Sequence, residues 1–321
     1  MPFAALPGVK LHFVQLPSRA APAEATDDVV MIHGLATSMG FWYPGVAPFF
    51  TRLGPVTLYD LRGHGRSEMR ASGYSPAQMA EDLRALLDHL ELERVHIVAH
   101  SFGGSVALSF ALLHPQRVRS LVLADVRIPS VQRRLAFAEW PQWEHWRDRF
   151  GQLGIEVDEQ HPESGLLLLT ALARLQAARV GDAPAAHGLL GELGRLKGRR
   201  AALRWLQLLE TTAAHAEMTS GVAFEPDELS RLEQPILALI GEHTFTLASA
   251  NALRSHCRQC HVEVVPRAGH FFPISRPIAF SRRCGRFYAS HFLTSGAAAA
   301  GLLAAGDDDD GEENEGALIE A

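Results

Sequence analysis

Cysteine is scarce in this chain. Only three cysteines, Cys257, Cys260 and Cys284, occur among its 321 residues. They are too few, and odd in number, for a disulfide framework, so we expect reduced thiols. Cys257 and Cys260 form a C-x-x-C pair, but a structural zinc site needs four ligands and the sequence offers no second pair at a compatible spacing. We therefore expect neither a metal nor a cofactor.

Long apolar runs are also missing. No stretch reaches the length of about 18 apolar residues from which a membrane-spanning helix is inferred. The first residues, MPFAALPGVKLHF, do not show the charged region, long apolar stretch and cleavage site of a secretory signal. These absences predict a cytoplasmic protein without a membrane span.

The chain has no excess of basic residues. It holds 30 Lys and Arg against 36 Asp and Glu, for a net charge of −6. Residues 307–321 carry eight acidic side chains and no basic one, so removing those eight charges leaves +2. A nearly neutral body predicts no nucleic-acid partner, because such a partner requires a clustered basic surface. Residues 296–321 combine low complexity with like charge and are predicted to form a disordered acidic tail. Composition indicates no particular oligomeric state.

What the chain does contain is an alternation of strand and helix patterns. An opening hairpin is expected around Pro7-Gly8, and a helix within residues 39–53 is expected to bring Phe41, Trp42 and Phe49 to the core. Apolar, β-branched runs indicate strands at 29–32, 56–59, 95–99, 118–124 and 235–240, with helices at 76–90 and 102–113 between them. Such alternation predicts right-handed crossovers and a mainly parallel sheet.

Residues 95–104, VHIVAHSFGG, have the profile of a reactive serine. The strand pattern stops at His100 and passes through Ser101 into a helical stretch. In the nucleophile elbow G-x-S-x-G the serine lies on a strained strand-to-helix turn, where crowding demands small neighbours. Ala99 and Gly103 occupy the two glycine positions here, so one glycine is replaced by the next smallest residue.

Three further segments support this interpretation. His33-Gly34 ends one strand, the turn DLRGHGRS at 60–67 follows another, and GHFFP places His270 on a late loop. Together with Ser101 these residues resemble the α/β-hydrolase superfamily of esterases, lipases and C–C bond hydrolases, in which the order is serine, acid, histidine. The resemblance covers most of the expected core. It implies a mostly parallel eight-stranded sheet with helices on both faces and a helical cap inserted after the sixth strand.

The resemblance also divides the chain. Residues 1–126 and 233–295 form the two parts of the α/β-hydrolase core, and 296–321 the acidic tail. Residues 127–232 show helical periodicity without a convincing strand, as in LLLLTALARLQAARV. They occupy the place of the cap, which in this family lies over the strand ends and shapes the substrate pocket.

The predicted chemistry is nucleophilic catalysis. A serine hydroxyl is a poor nucleophile near neutral pH and needs a base, for which we propose His270 beside Ser101. Charge that develops on the substrate oxygen needs backbone N–H donors, and the expected oxyanion hole comprises the N–H groups of Phe102 and Leu35.

The acid that orients His270 is open to two interpretations. Resembling proteins usually carry it after the seventh strand in a pattern like G-E-x-D, but here the residues are Gly241-Glu242-His243-Thr244. A threonine cannot stabilise an imidazolium as a carboxylate does. Asp125, at the end of the sixth strand, is favoured because some relatives place their acid there. Glu242 is the alternative.

Three residues are candidates for the wall of the substrate pocket. His33 belongs to the oxyanion loop, and Trp140 and Trp143 lie three residues apart in the predicted cap, which on a helix gives one aromatic face. These tryptophans either pack in the cap or contact a ligand.

Three functions are compatible with these residues. The favoured one is a serine hydrolase that cleaves an ester, thioester or lactone with an apolar portion through an acyl-enzyme intermediate. The second is a C–C bond hydrolase or cofactor-free oxygenase that uses the same side chains. The third is a non-catalytic α/β-hydrolase-like binding protein, to which the substitutions at Ala99 and Thr244 lend support.

Overall fold

The computed structural model describes most of the chain. It covers residues 2–20, 28–43, 45–140, 143–152, 154–178, 199–219 and 224–293. The predicted acidic tail, 296–321, and residues 179–198 of the predicted cap lie outside the described residues.

One eight-stranded sheet forms the centre of the fold, as predicted. The strands are β1 Phe3–Leu6, β2 Val9–Leu16, β3 Val29–Ile32, β4 Val56–Tyr59, β5 Val95–His100, β6 Val118–Ala124, β7 Ile236–Gly241 and β8 Cys260–Val265. Their order in the sheet is β1-β2-β4-β3-β5-β6-β7-β8. The pairings of β1 with β2 and of β2 with β4 are antiparallel, and every other pairing is parallel.

Helices cover both faces of this sheet. Those of the described residues are α1 Ala47–Phe50, α2 Pro76–His89, α3 Phe102–Leu113, α4 Trp143–Gln152, α5 Ser164–Ala178, α6 Arg199–Thr211, α7 Ala214–Thr219, α8 Leu247–His256, α9 Phe272–Ser275 and α10 Pro277–His291. Within the described chain, no helix is both long and apolar enough to cross a membrane.

Two apolar cores result from the alternation of side chains along the strands. In β5, Ile97 and Ala99 join the core beneath α2 and α3, whereas Val98 joins the core beneath α1 and α10. All six residues of β5 are buried. A strand buried on both faces reads as a continuous apolar run, which is why its bounds could be predicted closely.

The segment 39–53 differs from its prediction. It forms a 3-10 turn over Met39–Phe41 and the four-residue helix α1, rather than one longer helix. Phe41 and Trp42 are buried as predicted, but Phe49 is only half-buried and Phe50 takes the core position. Glycine and proline in GFWYPGVAP explain the break, because neither residue favours a helix interior.

Between β6 and β7 the described residues form helices α4 to α7 and short 3-10 turns, and no strand. This helical segment is joined to the sheet side of the molecule by hydrogen bonds. The carboxylate of Glu217 in α7 accepts from the N–H groups of Gly73 at 2.7 Å and Tyr74 at 2.6 Å. The N–H of Ala213 donates to the carbonyl of Ala71 at 2.8 Å.

Candidate active site

Ser101 lies at the turn between β5 and α3. β5 ends at His100 and α3 begins at Phe102, and Ser101 between them has φ 54° and ψ −124°. This conformation is strained for a non-glycine residue and persists only where the surrounding structure fixes it. Gly103 permits the turn, because a Cβ there would lie 2.5 Å from the backbone oxygen of His33. The serine side chain is thereby presented at the carboxyl end of the sheet.

Asp125 lies at the same edge of the sheet, directly after β6. It also has a positive φ, of 52°, and its N–H donates to the carbonyl of Leu239 in β7 at 2.8 Å. Its side chain is fully buried. Since β5 and β6 are neighbouring parallel strands, the residues that follow them are brought side by side.

His270, on the loop after β8, lies between these two side chains. Its Nδ1 is 2.5 Å from Oδ2 of Asp125 and its Nε2 is 3.0 Å from Oγ of Ser101. A carboxylate only accepts hydrogen bonds, so Nδ1 carries the hydrogen and Nε2 is left to accept from the serine hydroxyl. The ring is 28% exposed, whereas the Asp125 carboxylate is not exposed at all. Such an arrangement can move a proton from the hydroxyl to the imidazole.

Two threonines hold the other oxygen of Asp125. The hydroxyls of Thr244 and Thr246 each donate to Oδ1 at 2.7 Å. Burial raises the pKa of Asp125, but the hydrogen bond and charge of His270, together with the two hydroxyls, outweigh it, so that this pKa lies below its usual value. The carboxylate therefore stays ionised in a buried position.

Glu242, the other candidate acid, lies elsewhere. It is exposed, and its carboxylate accepts a hydrogen bond from the N–H of Arg267 at 2.6 Å. Arg267 has φ 50°, so this bond holds the turn that leads to His270. The geometry brings Asp125, and not Glu242, to the imidazole.

The expected oxyanion donors flank Ser101. A Cβ on Gly34 would lie 3.0 Å from Cβ of Ser101, which shows how closely the loop carrying Leu35 passes the serine. Phe102 is the first residue of α3, where N–H groups have no partner inside the helix. In the described part of the chain, neither the N–H of Leu35 nor that of Phe102 donates to a protein acceptor.

Comparison with known families identifies the fold. Residues 28–277 match the model of a family described as the alpha/beta hydrolase fold, which is more than half of the chain. The chain belongs to this α/β-hydrolase family.

Individual relatives match over a shorter part of the chain. A protein of Caulobacter sp. (strain K31), provisionally named carbamate hydrolase RutD, is 39% identical over 105 residues, which are 32% of this chain and 39% of that protein. An uncharacterised protein of Mycobacterium tuberculosis (strain ATCC 25618 / H37Rv) is 41% identical over 100 residues, 30% of this chain and 28% of that protein. The matched part thus spans well under two thirds of the length of these relatives.

Solved structures match over most of the chain. The enol-lactonase from Burkholderia xenovorans LB400 superposes with a TM-score of 0.60 at 22% identity, over 89% of this chain and 99% of that one. At this identity the likeness establishes the α/β-hydrolase fold and nothing finer.

His33 of this α/β-hydrolase braces the loop beside the serine. Its Nδ1 donates to the carbonyl of Gly34 at 2.8 Å, and its Nε2 accepts from the N–H of Leu61 at 3.1 Å. The ring is fully buried, and burial lowers its pKa despite the opposing charge of Asp60. A neutral His33 therefore connects the loop that carries Leu35 with the loop after β4.

His100 lies beneath His270. Its Nε2 donates to the backbone carbonyl of His270 at 2.9 Å, and its ring stacks on Phe41 at 4.5 Å between centroids. Burial, followed by the nearby His270, lowers the pKa of His100 to about 3. His100 is therefore neutral in the working range of pH and supports the loop of His270 without exchanging protons.

The two tryptophans of the predicted cap do not share a helix face. Trp143 belongs to α4 and is 6% exposed, packed against Phe137 at 5.1 Å, whereas Trp140 precedes that helix and stacks on Phe245 at 5.8 Å. The expected single aromatic face is wrong, because a 3-10 turn ends before Trp140. Phe245 in turn lies parallel to the ring of His270, at 6.3 Å.

Thr246 and Phe245 are residues that the sequence interpretation missed. Both lie in the loop between β7 and α8, directly after the Thr244 that drew attention as a departure from the family pattern. The signal available was the run HTFT, in which two hydroxyls flank one aromatic ring. The role of the two hydroxyls depends on their contact with Asp125, which lies more than 110 positions earlier in the chain.

The cysteines lie away from this chemistry. All three are free, with Cys257 and Cys284 buried and Cys260 half-buried. Burial raises the pKa of Cys257 and of Cys260 to about 12, so both thiols are protonated and unreactive at neutral pH. The described residues contain no group of three or more His, Cys, Asp or Glu side chains that could hold a metal ion.

Proposed function

We propose that this chain is a serine hydrolase that cleaves an ester, thioester or lactone with an apolar portion through an acyl-enzyme intermediate. One observation carries the proposal: the imidazole of His270 bridges Oγ of Ser101, at 3.0 Å, and the carboxylate of Asp125, at 2.5 Å. These are the hydrogen bonds by which a serine is activated through a histidine that an acid orients.

In the proposed reaction, Oγ of Ser101 attacks the substrate carbonyl while Nε2 of His270 takes its proton. The negative charge on the carbonyl oxygen is bound by the N–H groups of Leu35 and Phe102, each such donor contributing about 3 kcal/mol. The C–O or C–S bond to the leaving group then breaks, and the leaving group takes the proton from His270. Water attacks the acyl-enzyme by the same route, which releases the acid and restores Ser101.

The buried Asp125 has a defined part in these steps. It keeps the hydrogen on Nδ1 of His270, so that Nε2 faces Ser101, and its charge stabilises the imidazolium that forms. The lowered pKa of Asp125 supports this part, because only the ionised carboxylate supplies that charge.

An apolar substrate portion is supported by the side chains around the serine. Leu35, Phe102, Trp140 and Phe245 are apolar and half-buried, so they offer contact surface that the fold has not covered. We propose that residues 127–232 form the cap over this surface and that 1–126 and 233–295 form the core. In this proposal Trp140 lines the pocket and Trp143 and His33 shape it from behind.

The names of similar proteins agree with carbonyl chemistry. The Caulobacter relative carries the name of a carbamate hydrolase and the Burkholderia structure that of an enol-lactonase. In both names the bond cleaved joins a carbonyl carbon to a heteroatom, as in the reaction proposed here.

The test uses p-nitrophenyl butyrate as substrate. Wild type is expected to turn it over, and Ser101→Ala to lose at least about 10³-fold in kcat, since such a substitution removes the nucleophile. Ser230→Ala, which changes an exposed serine in a 3-10 turn, is the matched control. A fluorophosphonate should label Ser101 alone, and equal turnover by wild type and Ser101→Ala would overturn the proposal.

A second candidate function has one observation in its favour. The acid follows β6, and resembling proteins with that placement include C–C bond hydrolases and cofactor-free oxygenases. Oxygen uptake during turnover of a suitable substrate would identify the oxygenase. Absence of turnover across a panel of esters, thioesters and lactones would strengthen the third candidate, the non-catalytic binding protein.

A further inference from the structure

A column of three rings leads from the reacting imidazole into the helical segment. Phe245 lies 6.3 Å from His270 with an angle of 14° between the ring planes, and Trp140 lies 5.8 Å from Phe245 at 28°. His270 and Phe245 follow strands of the sheet, whereas Trp140 belongs to the segment between β6 and β7. The column therefore crosses from one part of the molecule to the other beside the serine.

The rings of this column are held by polar contacts of their own. The side-chain amide of Gln132 donates to the carbonyl of Phe245 and accepts from the hydroxyl of Ser249 at 2.8 Å. The indole N–H of Trp140 donates to the hydroxyl of Ser164 at 3.0 Å. Both aromatic rings remain half-buried although their backbones are fixed. Part of each ring is thus left exposed, that of Phe245 beside the histidine and that of Trp140 one ring further away.

The position of the column determines which part of a substrate can reach it. His270 must give its proton to the leaving group, so the leaving group lies close to the imidazole when the bond breaks. The acyl group, in contrast, stays bonded to Ser101. A ring face parallel to that of His270 therefore borders the leaving-group side of the reacting bond.

We propose that Phe245, extended by Trp140, selects substrates whose leaving group carries a planar apolar ring. This inference rests on the proposed function and deepens it. Aromatic rings prefer offset-stacked or edge-to-face contacts with other rings, and such pairs add to the gain from burial alone. A saturated ring of similar size gains the burial without the stacking.

The experiment compares benzyl butyrate with cyclohexylmethyl butyrate. The two esters share the acyl group, and both leaving groups are primary alcohols. The esters therefore differ in the planarity of the leaving-group ring. Wild type is expected to prefer the benzyl ester in kcat/KM, and Phe245→Leu to lower that preference by about two- to tenfold, as the loss of one aromatic pair predicts. Trp140→Leu should lower it by a smaller factor.

Phe271→Leu is the matched control. Phe271 also contacts the imidazole, at 5.0 Å, but meets it edge-on and lies outside the column. If Phe245 merely supported His270, then Phe245→Leu and Phe271→Leu would both reduce kcat for the two esters alike and leave the preference unchanged. That result, with both variants folded by circular dichroism, would overturn the inference.

A second pair of esters tests on which side of the reacting bond the ring is selected. Butyl phenylacetate carries its ring on the acyl group, and its kcat/KM relative to butyl cyclohexylacetate should be insensitive to Phe245→Leu. If Phe245→Leu lowered the preference for butyl phenylacetate but not that for benzyl butyrate, the assignment of the ring to the leaving group would be contradicted.

Failure of the proposed function can be recognised separately. If wild type turned over none of these esters, saturation-transfer NMR on Ser101→Ala would compare binding of benzyl alcohol and cyclohexylmethanol. If benzyl alcohol binds preferentially and Phe245→Leu abolishes that preference, the inferred ring-binding surface is supported. Equal binding of both alcohols would overturn the inference.

Discussion

At the scale of single residues, the most informative position is Thr244. In the family pattern an acid is expected there, and the sequence alone presents the threonine as a loss. The structure shows a hydroxyl that donates to the carboxylate of Asp125, an arrangement that a second carboxylate at this position would replace with like-charge repulsion. Thr244 and the acid at 125 are therefore complementary, and neither can be interpreted without the other.

Replacing both hydroxyls tests this complementarity. Thr244→Val with Thr246→Val leaves the buried Oδ1 of Asp125 with only the long hydrogen bond from the N–H of Gly241, at 3.4 Å. This should lower the free energy of unfolding at pH 7 by about 1–3 kcal/mol per lost partner. Because the pKa of Asp125 is lowered in the folded state, the ionised carboxylate stabilises the fold above its unfolded pKa of about 4. This stability is lost as pH falls through the folded pKa. The difference between wild type and variant should therefore shrink below that pH.

Urea unfolding between pH 3 and pH 7 measures the effect. Thr211→Val removes an exposed helix hydroxyl that bonds only its own helix, and it provides the control. A difference between wild type and the double variant that stays constant over this range would contradict the assigned contact.

A second prediction at this scale concerns Gly34. A Cβ there would lie 3.0 Å from Cβ of Ser101 and 3.1 Å from Nδ1 of His100, so Gly34→Ala must shift either the serine turn or the loop of Leu35. A displacement of about 1 Å can cost roughly 10²-fold in rate, and we expect a fall in kcat of that order with little change in Tm. Gly165→Ala is the control, because a Cβ there meets nothing within 4 Å. A variant as active as wild type would argue against a tight oxyanion loop.

At the scale of helices and strands, the local sequence predicts those elements whose bounds are determined by neighbouring residues. The strand over Val118–Ala124 and the helix over Phe102–Leu113 have the predicted bounds, because an apolar run between turn residues leaves few alternatives. The predicted helix within 39–53 was wrong in extent, because glycine and proline break the segment into a 3-10 turn and the short helix α1. The conformation that this segment adopts depends on its packing against α10. Helix propensity is a weak guide where tertiary contacts decide.

The same difference between local sequence and tertiary contacts applies to the candidate site. The turn at Ser101 and the loop of His270 could be located from their own neighbouring residues. The two threonine partners of Asp125 could not, since Thr244 and Thr246 meet it only through the parallel pairing of β6 with β7. The ring column could not be predicted either, because its members lie in three segments that are remote in sequence.

A buried ion pair fixes α2 to the loop after β4. Arg62 donates to both oxygens of Asp82, at 2.8 and 2.6 Å, and both side chains are almost completely buried. Asp82→Ala would leave the guanidinium buried without its carboxylate, and we expect a loss of about 3–5 kcal/mol in the free energy of unfolding. Chemical denaturation measures this loss directly.

Asp88→Ala on the same helix is the comparison. Asp88 pairs with Arg84 and Arg117, but its side chain is 46% exposed, so its removal should cost no more than about 1 kcal/mol. The double variant Arg62→Met with Asp82→Leu should recover most of the loss, because it removes both charges together. Equal effects of Asp82→Ala and Asp88→Ala would show that burial does not determine how much the Arg62–Asp82 ion pair contributes to the free energy of unfolding.

At the scale of the whole molecule, the question is how the helical segment between β6 and β7 is attached to the sheet. Glu217 accepts from two consecutive N–H groups of the 73–74 turn, and Leu208 packs so closely on Gly63 that a Cβ there would lie 2.6 Å from it. Both contacts involve the loop that follows β4. Further contacts join the two parts, among them the bond from the N–H of Ala213 to Ala71 and the packing of Trp205 and Leu208 in the same apolar core as the sheet. Since Glu217 is one contact among these, its loss should favour local opening of the segment rather than unfolding of the whole molecule.

Glu217→Ala should make that opening more frequent. The variant leaves the N–H groups of Gly73 and Tyr74 without their carboxylate, so the helical segment should separate from the core more often while the core remains folded. Trypsin should then cleave within residues 127–232 several-fold faster than in wild type, because proteolysis follows the population of the open form when opening is rapid. Mass spectrometry of the fragments locates the cuts. Glu144→Ala, which changes a side chain that is 82% exposed and pairs with Arg147, should leave the rate unchanged. First cuts that fall in the sheet would instead show that the two parts of the molecule unfold together.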